Sequence, residues 1–458
     1  MKTKVWRKVV GAAATVATLA ITPTAASSET LQDALVAAYL NSNLLEQNRA
    51  LLRATDEDVA VALSALRPQI SAISTFGHAD QATGPAGGNL SATVSVGLDL
   101  LLYDAGRTKL GVEAAKETVL ATRAQLVNAE QQVLLNAVNA YVGVLRDARV
   151  VSLRQNNLRL ITQELRAARD RFDVGEVTRT DVAQAEARLA EARGALAQAQ
   201  GNLAISQELY VATVGKRPGN LSAIPSLPPL PGSVADARAL GERNSPSIDQ
   251  AQHEIRANEL NAARARAAIR PTIGLTANAG HSRRNDNNSS IGLQMTVPIY
   301  QGGQLKALER KALAQVHASR SNLNQAVLIV RQNVSDSWST LAVANAQLQA
   351  SERQIRAAQV AFNGVREEAK LGARTTLDVL DAEQSLFDAR TNRVVFETQV
   401  YAAAYQLLSS MGLLTVSDLK LPVKQYDPNE YFDAVKGAPV RRTKQGDKLD
   451  RILGRYQK

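Results

Sequence analysis

Asp378 and Asp381 stand three residues apart, and Arg374 precedes the first of them by four. On a helix that spacing sets both carboxylates on one face. Arg374 brings a guanidinium able to make a bidentate, charge-assisted contact to a carboxylate, which is specific yet reversible. Thr180 and Asp181 form a second polar group, and Asp181 stands 197 residues before Asp378. The bland account of Thr180 and Asp181 is a helix N-terminal cap with a first-turn acid, close to the turn at Gly175. Both accounts can hold at once.

Other chemistry is hard to find. His78, His253, His281 and His317 are scattered, with no HExxH spacing and no metal-ligand spacing. The chain has no cysteine, which removes disulfides, thiolate metal sites and a lipid-modified N-terminal Cys. No GxSxG and no phosphate-binding loop occurs, and the Gly302-Gly303 pair lacks the further glycines of a dinucleotide motif. The expectation is a protein that is not an enzyme and that carries no cofactor and no structural metal.

The equal offset points to the organisation of the whole chain. Val174-Gly175, Thr180-Asp181-Val182, Ala185-Glu186 and Leu189 correspond, at offset 197, to Leu371-Gly372, Leu377-Asp378-Val379, Ala382-Glu383 and Leu386. The same offset relates Tyr103 to Tyr300, Gly106 to Gly303 and Gly215 to Gly412, while Arg67-Pro68 and Arg270-Pro271 are 203 apart. The chain is therefore a duplicated unit of roughly 200 residues. The reading divides it into a signal peptide (1–26), a first unit (27–220), a linker (221–232), a second unit (233–417) and a basic C-terminal tail (418–458). Pro225, Pro228, Pro229 and Pro231 mark the linker.

Each unit reads in one order. A helix of about 35 residues ends at the Arg-Pro pair, because proline disfavours helix for the residue before it. Two strands follow, at 69–79 and 90–101 in the first unit and at 272–281 and 289–299 in the second. From Leu90 to Leu100 the alternation is strict, with Val94, Val96 and Leu98 on one face and Ser95, Gly97 and Asp99 on the other. Period-two alternation of this length suits a strand with one face in lipid and one in water, and equally a half-buried sheet in a soluble domain; the export signal and the flanking helices favour the membrane. Then comes a helix of about 65 residues, about 100 Å long, with Ala137, Val144, Val151, Leu158 and Leu165 repeating by seven. Sustained heptads mean coiled-coil packing. A further helix of about 35 residues closes the unit. Four strands cannot close a membrane barrel, and an open edge in lipid leaves backbone groups unpaired, so several copies must pool strands.

Composition agrees. Lys2, Lys4, Arg7 and Lys8 precede an apolar run, Val9 to Ile21, that is too short to span a bilayer, so the segment reads as an export signal. The formal charge of +10 is concentrated at the ends: four basic residues lie in the signal, and Lys436–Lys458 has eight against Asp447 and Asp450. The near-neutral body argues against nucleic-acid binding. The tail reads as a solvated end.

The segments Val297-Pro298-Ile299-Tyr300-Gln301-Gly302-Gly303 and Leu371-Gly372-Ala373-Arg374-Thr375-Thr376-Leu377-Asp378-Val379-Leu380-Asp381-Ala382 resemble the signatures of the TolC outer-membrane efflux family, with a BepC-like branch as one placement within it. The resemblance runs from about Thr30 to Leu414 and includes the duplication. It implies a homotrimer with a 12-strand β-barrel in the outer membrane and a 12-helix α-barrel tunnel in the periplasm. It implies a periplasmic adaptor, or membrane fusion protein, docked on the turns Val174-Gly175-Glu176 and Leu371-Gly372-Ala373. Behind the adaptor stands an inner-membrane pump or ABC transporter. Carried over by motif, Arg374 bonds to Thr180 and Asp181 of a neighbouring helix pair, and Asp378 and Asp381 face the pore. In a trimer they form stacked carboxylate rings that attract cations and retard anions. Ala369 stands where some relatives have a latch Tyr, and Glu176 where the docking turn often has Leu. Tyr103, Gly106, Pro298, Tyr300, Gly302 and Gly303 mark the strand-to-helix junctions, the two tyrosines suited equally to a membrane interface or to capping a buried strand end. The expected function is an exit duct for efflux or type I secretion. The alternative is a periplasmic coiled-coil adaptor or scaffold without a barrel.

Overall fold

The computed structural model describes residues 28–79, 89–223, 225–282, 287–437, 443–447 and 451. The expected signal peptide lies outside them, as do most of the two strand-connecting loops and much of the basic tail.

Each half opens with two helices where the sequence reads as one. α1 (Leu31–Asn41) meets α2 (Asn43–Ser64) at Ser42, and α5 (Val234–Asn244) meets α6 (Pro246–Ala267) at Ser245. Ser42 is extended (ψ 114°), and its Oγ accepts a hydrogen bond from the Leu45 amide at 3.2 Å, which makes it an N-cap in mid-run. Ser245 is extended (ψ 120°) because Pro246 follows it and takes the first helical position.

Strands β1 (Gln69–Ala79), β2 (Asn89–Tyr103), β3 (Thr272–Ser282) and β4 (Asn287–Thr296) form one antiparallel sheet in the order β1-β2-β3-β4. The central pair, β2 on β3, joins the two halves of the duplication. The register stacks Ile70 on Leu98, Leu98 on Ala277 and Ala277 on Ile291. Phe76, Val94, Val96, Leu275, Leu293 and Met295 share that face, while Ser95, Thr276 and Gln294 share the other. Ile70, Phe76, Ile291 and Leu293 are largely exposed, so nothing among the described residues covers the apolar face. The alternation read through 299 outruns β4, which stops at Thr296 opposite Thr272. Pro298 has no N–H to continue the ladder.

α3 (Arg107–Asp173) and α7 (Gln304–Lys370) each run 67 residues, and α4 (Arg179–Val214) and α8 (Thr376–Ser410) fold back along them. The main core lies where α1, α2 and the ends of α4 and α8 wrap α3, with Leu52, Leu134, Tyr141, Tyr210, Leu407 and Met411 fully buried. The Tyr210 hydroxyl donates to Glu29 Oε1 (2.5 Å), and Lys216 Nζ reaches the same atom (3.0 Å). That pair anchors the segment leading into α1. α7 is as long as α3 yet buries far less; Leu313, Leu328, Val343 and Val360 are exposed along it.

Part of the expected tail is packed. α9 (Pro428–Val435) lies against α2, with Tyr431 and Val435 buried beside Ala60, and the Tyr431 hydroxyl donates to Glu57 Oε1 at 2.7 Å. A basic composition further along hid a short amphipathic helix that has an apolar surface to cover.

Candidate functional site: the hairpin tips and the seam between them

The two hairpins end in the same turn. α3 stops at Asp173, Gly175 takes φ +80°, and the Glu176 amide donates back to the Arg171 carbonyl at 2.9 Å. α7 stops at Lys370, Gly372 takes φ +75°, and the Ala373 amide donates to the Glu368 carbonyl at 3.0 Å. A left-handed glycine at this point is the low-strain way to close a helix C-terminus. The returning helix then starts with a reciprocal cap. Asp181 N donates to Thr178 Oγ1 (3.3 Å) while Thr178 N donates to Asp181 Oδ2 (2.8 Å). In the second hairpin Asp378 N donates to Thr375 Oγ1 (3.2 Å) and Thr375 N to Asp378 Oδ2 (2.9 Å). The cap is thus Thr178, not Thr180, and Asp181 and Asp378 serve as its acids. Thr180 is exposed on the first turn of α4. Hydrogen bonds from the Thr375 backbone and hydroxyl hold the Asp378 carboxyl below its ordinary range, so it is charged at neutral pH.

Arg374 Nε donates to Glu368 Oε2 at 2.9 Å within its own turn. Within the single chain it is therefore paired, and the pair is exposed, so it can be exchanged for another carboxylate at little cost. Val174 and Leu371 are exposed apolar residues at the two extreme ends, beside Glu176 and Ala373. Apolar side chains held out on a rigid turn offer a docking surface.

Asp381 does not stand free beside Asp378. Arg188 Nη2 of α4 donates to Asp381 Oδ1 of α8 at 2.7 Å, and its Nη1 to Glu191 Oε2 at 3.1 Å. Four more contacts cross from the first hairpin to the second. Asn157 Nδ2 of α3 donates to Glu383 Oε1 of α8 at 3.3 Å, both residues being buried. Arg149 Nη1 pairs with Glu397 Oε2 at 3.2 Å, and the Arg154 guanidinium lies over the Phe387 ring, 4.3 Å from its centre. Leu380 of α8 inserts into the apolar cluster of the first hairpin, among Ile161, Leu165, Ala185 and Leu189. Burial raises the Glu383 carboxyl to about 7, and nearby Glu164 pushes in the same direction. These contacts run along α8 above the tips, polar at Asp381, Glu383 and Glu397 and apolar at Leu380.

At the far ends of the long helices lie the junctions to the sheet. β2 ends at exposed Tyr103, and Asp104 turns the chain into α3 by accepting from Gly106 N (3.0 Å) and Thr108 N (2.6 Å). Gly106, Gly302 and Gly303 all have positive φ, of +80°, +57° and +84°. Ala105, which occupies the place of Gly302, takes φ +55°. Pro298 and exposed Tyr300 lie in the extended run between β4 and α7. Among the described residues no helix is long and apolar enough to cross a membrane, and no cluster of His, Asp or Glu could hold a metal ion.

A four-stranded sheet that is apolar on one face, carried on paired helical hairpins about 100 Å long, defines a subunit of the outer-membrane exit-duct class. Residues 34–215 and 240–413 match the family model described as outer membrane efflux protein, and the chain belongs to that family. It is 38% identical over 440 residues to the outer membrane efflux protein BepC of Brucella suis, covering 94% of this chain and 96% of that one. It is 24% identical to the alkaline protease secretion protein AprF of Pseudomonas aeruginosa, over 74% of this chain and 73% of the relative. The CusC crystal structure shares the fold, with a TM-score of 0.76 at 19% identity, over 84% of this chain and 92% of that one. The family is one of channels, located in the outer membrane, that serve as exit ducts in efflux and type I secretion.

Proposed function

We propose that three copies of the chain assemble into a conduit whose pooled strands close a twelve-stranded barrel and whose helices form a tunnel below it. The observation that carries this reading is the pairing of an uncovered apolar sheet at one end with two matched, acid-capped tips at the other. The open edges of β1 and β4 and the exposed apolar residues of α7 supply the surfaces for assembly. A periplasmic adaptor docks on Val174-Gly175-Glu176 and Leu371-Gly372-Ala373. An inner-membrane pump or ABC transporter drives cargo through the adaptor, and this chain supplies no energy. The cargo is a toxic small molecule or a polypeptide.

In the resting trimer, Arg374 leaves Glu368 for Thr180 and Asp181 of the neighbouring helix pair, and Asp378 and Asp381 line the constriction. Exchange of one exposed ion pair for another changes little energy, which suits a latch that an adaptor must release. The test is single-channel recording of purified protein in a planar lipid bilayer under a salt gradient. A small conductance with cation preference, raised by Arg374→Ser, is the expected result. Protein that stays soluble without detergent and forms no channel would overturn the reading in favour of a periplasmic scaffold.

A further inference from the structure

One side of α8 carries a groove rich in arginine. A cavity of about 620 Å³ lies between α3, α7 and α8. Leu153, Ile355 and Val394 give it an apolar floor, and Arg149, Arg356, Arg390 and Arg393 line its rim. Arg149 is paired with Glu397, and Arg390 donates to the neutral Gln359 amide oxygen at 2.6 Å. Arg356 and Arg393 are exposed and have neither an ion pair nor a side-chain hydrogen bond among the described residues. Glu352 is the one acid in the lining, so even with Glu397 included the groove carries an excess of positive charge.

The charge belongs to one side of the helix. Arg390 follows Asp381 by nine residues, about two and a half turns, and so lies on the opposite side of α8. Gln399 follows Asp381 by eighteen residues, about five turns, and lies on the same side. The groove on that side is lined by uncharged Asn139, Thr340, Gln347, Gln399 and Gln406. If the face of Asp381 is the bore, the arginine groove faces the periplasm. Only this placement rests on the channel reading; the binding chemistry does not.

We propose that the groove binds an amphipathic organic anion, with its apolar body on Leu153, Ile355 and Val394 and its carboxylate or sulfonate on Arg356 and Arg393. The volume is that of a site for a drug-sized molecule. Guanidinium is weakly hydrated and planar, and it meets a carboxylate or sulfonate through two parallel N–H donors. Two such groups without a partner over an apolar floor favour an anion with a hydrophobic body over a simple inorganic ion. Because α3 belongs to the first hairpin and α7 and α8 to the second, a bound anion bridges them and favours the conformation in which they are packed together.

The test is isothermal titration of naphthalene-1-sulfonate into the full-length protein in lipid nanodiscs, with empty nanodiscs as the reference. The expected result is saturable binding at one site per chain, weakened roughly tenfold or more in Arg356→Gln/Arg393→Gln through loss of two charge-assisted contacts. Arg356→Lys/Arg393→Lys retains part of the affinity, and the neutral naphthalene-1-sulfonamide binds at least tenfold more weakly. Absence of saturable binding overturns the proposal. So does equal affinity in the glutamine pair, or equal affinity for the sulfonamide. Should the glutamine pair fail to assemble, Ser152→Trp fills the groove without altering its charge; unchanged binding to that variant overturns the proposal as well. Bilayer recordings on the same preparation separate the two readings. A conducting channel that does not bind the sulfonate overturns this inference alone, and a preparation that binds but does not conduct overturns the exit-duct assembly alone.

Discussion

Arg188 and Asp381, 193 residues apart in sequence, meet at 2.7 Å and tie α4 of the first hairpin to α8 of the second. The place of Arg188 in the second unit is taken by Ser385, so the link exists on one side of the duplication only. Both side chains are partly in solvent, at 35% and 56% exposure. A pair of that kind contributes roughly 0.2–1 kcal/mol. It positions Asp381 without locking the hairpins together.

Arg188→Gln is expected to release Asp381 and loosen the tip. The open fraction of single channels should rise roughly 1.4- to 5-fold for each pair lost, the range that follows from roughly 0.2–1 kcal/mol for an exposed ion pair. Cation preference, read as reversal potential in a salt gradient, should increase because a carboxylate is unmasked. An unchanged reversal potential would remove Asp381 from the conduction path.

Asp378 combines a cap with a charge, and two substitutions separate them. Asp378→Asn keeps an acceptor for the first turn of α8 and removes the charge, so cation preference should fall while thermal stability holds. Asp378→Ala should lower both. Thermal unfolding followed by circular dichroism, alongside bilayer recording, distinguishes the pair; identical behaviour of the two variants would mean that the reciprocal cap between Thr375 and Asp378 contributes nothing.

Glu383 makes the seam pH-dependent. Its folded value of about 7 lies above the ordinary 4.5, so between those values the folded state holds a proton that the unfolded chain has lost. Stability of the seam is therefore full below about 4.5 and declines as the pH rises through 7. Glu383→Gln is expected to behave like wild type at pH 4.5 and to be the more stable at pH 8, by roughly 1–3 kcal/mol. Denaturant midpoints at the two pH values check this. Equal midpoints for the two proteins at pH 8 would place Glu383 in water.

Ala105 occupies a left-handed conformation that its counterpart Gly302 adopts without a side chain. Ala105→Gly is expected to stabilise the junction by roughly 0.5–1 kcal/mol through relief of that strain, and Gly302→Ala to destabilise it by a similar amount. Gly412→Ala should cost more than either, because a Cβ there would strike the Asn244 carbonyl in addition to meeting positive φ. Melting temperatures of the three variants give the order directly.

Much of this architecture is written in local periodicity. The seven-residue spacing from Ala137 to Leu165 and the alternation from Leu90 to Leu100 are properties of short windows, and each appears as a helix or strand of the corresponding kind. The break at Ser42 is less legible, because a single serine inside a helical run is compatible with continuing the helix until its side chain turns to cap. The partner of Asp381 lies in another helix, where no local pattern points to it. The available signal was the departure from symmetry at Arg188 and Ser385, since a duplicated unit keeps in common what both copies need. The same applies to buried Glu383, whose counterpart Glu186 is exposed and paired with Arg169 at 2.5 Å. Helix α9 was hidden by the basic stretch that follows it.

The order β1-β2-β3-β4, with every neighbour antiparallel, leaves β1 and β4 as edges running in opposite directions. The last strand of one copy can therefore receive the first strand of the next without changing the pattern, and a closed ring has no free edge anywhere. Closure then depends on every member at once. In the proposed ring of three, in a cell that expresses normal chains together with chains defective in β1 or β4, one faulty member is enough to spoil closure, so damage at these edges is expected to act dominantly although the normal copy is still made.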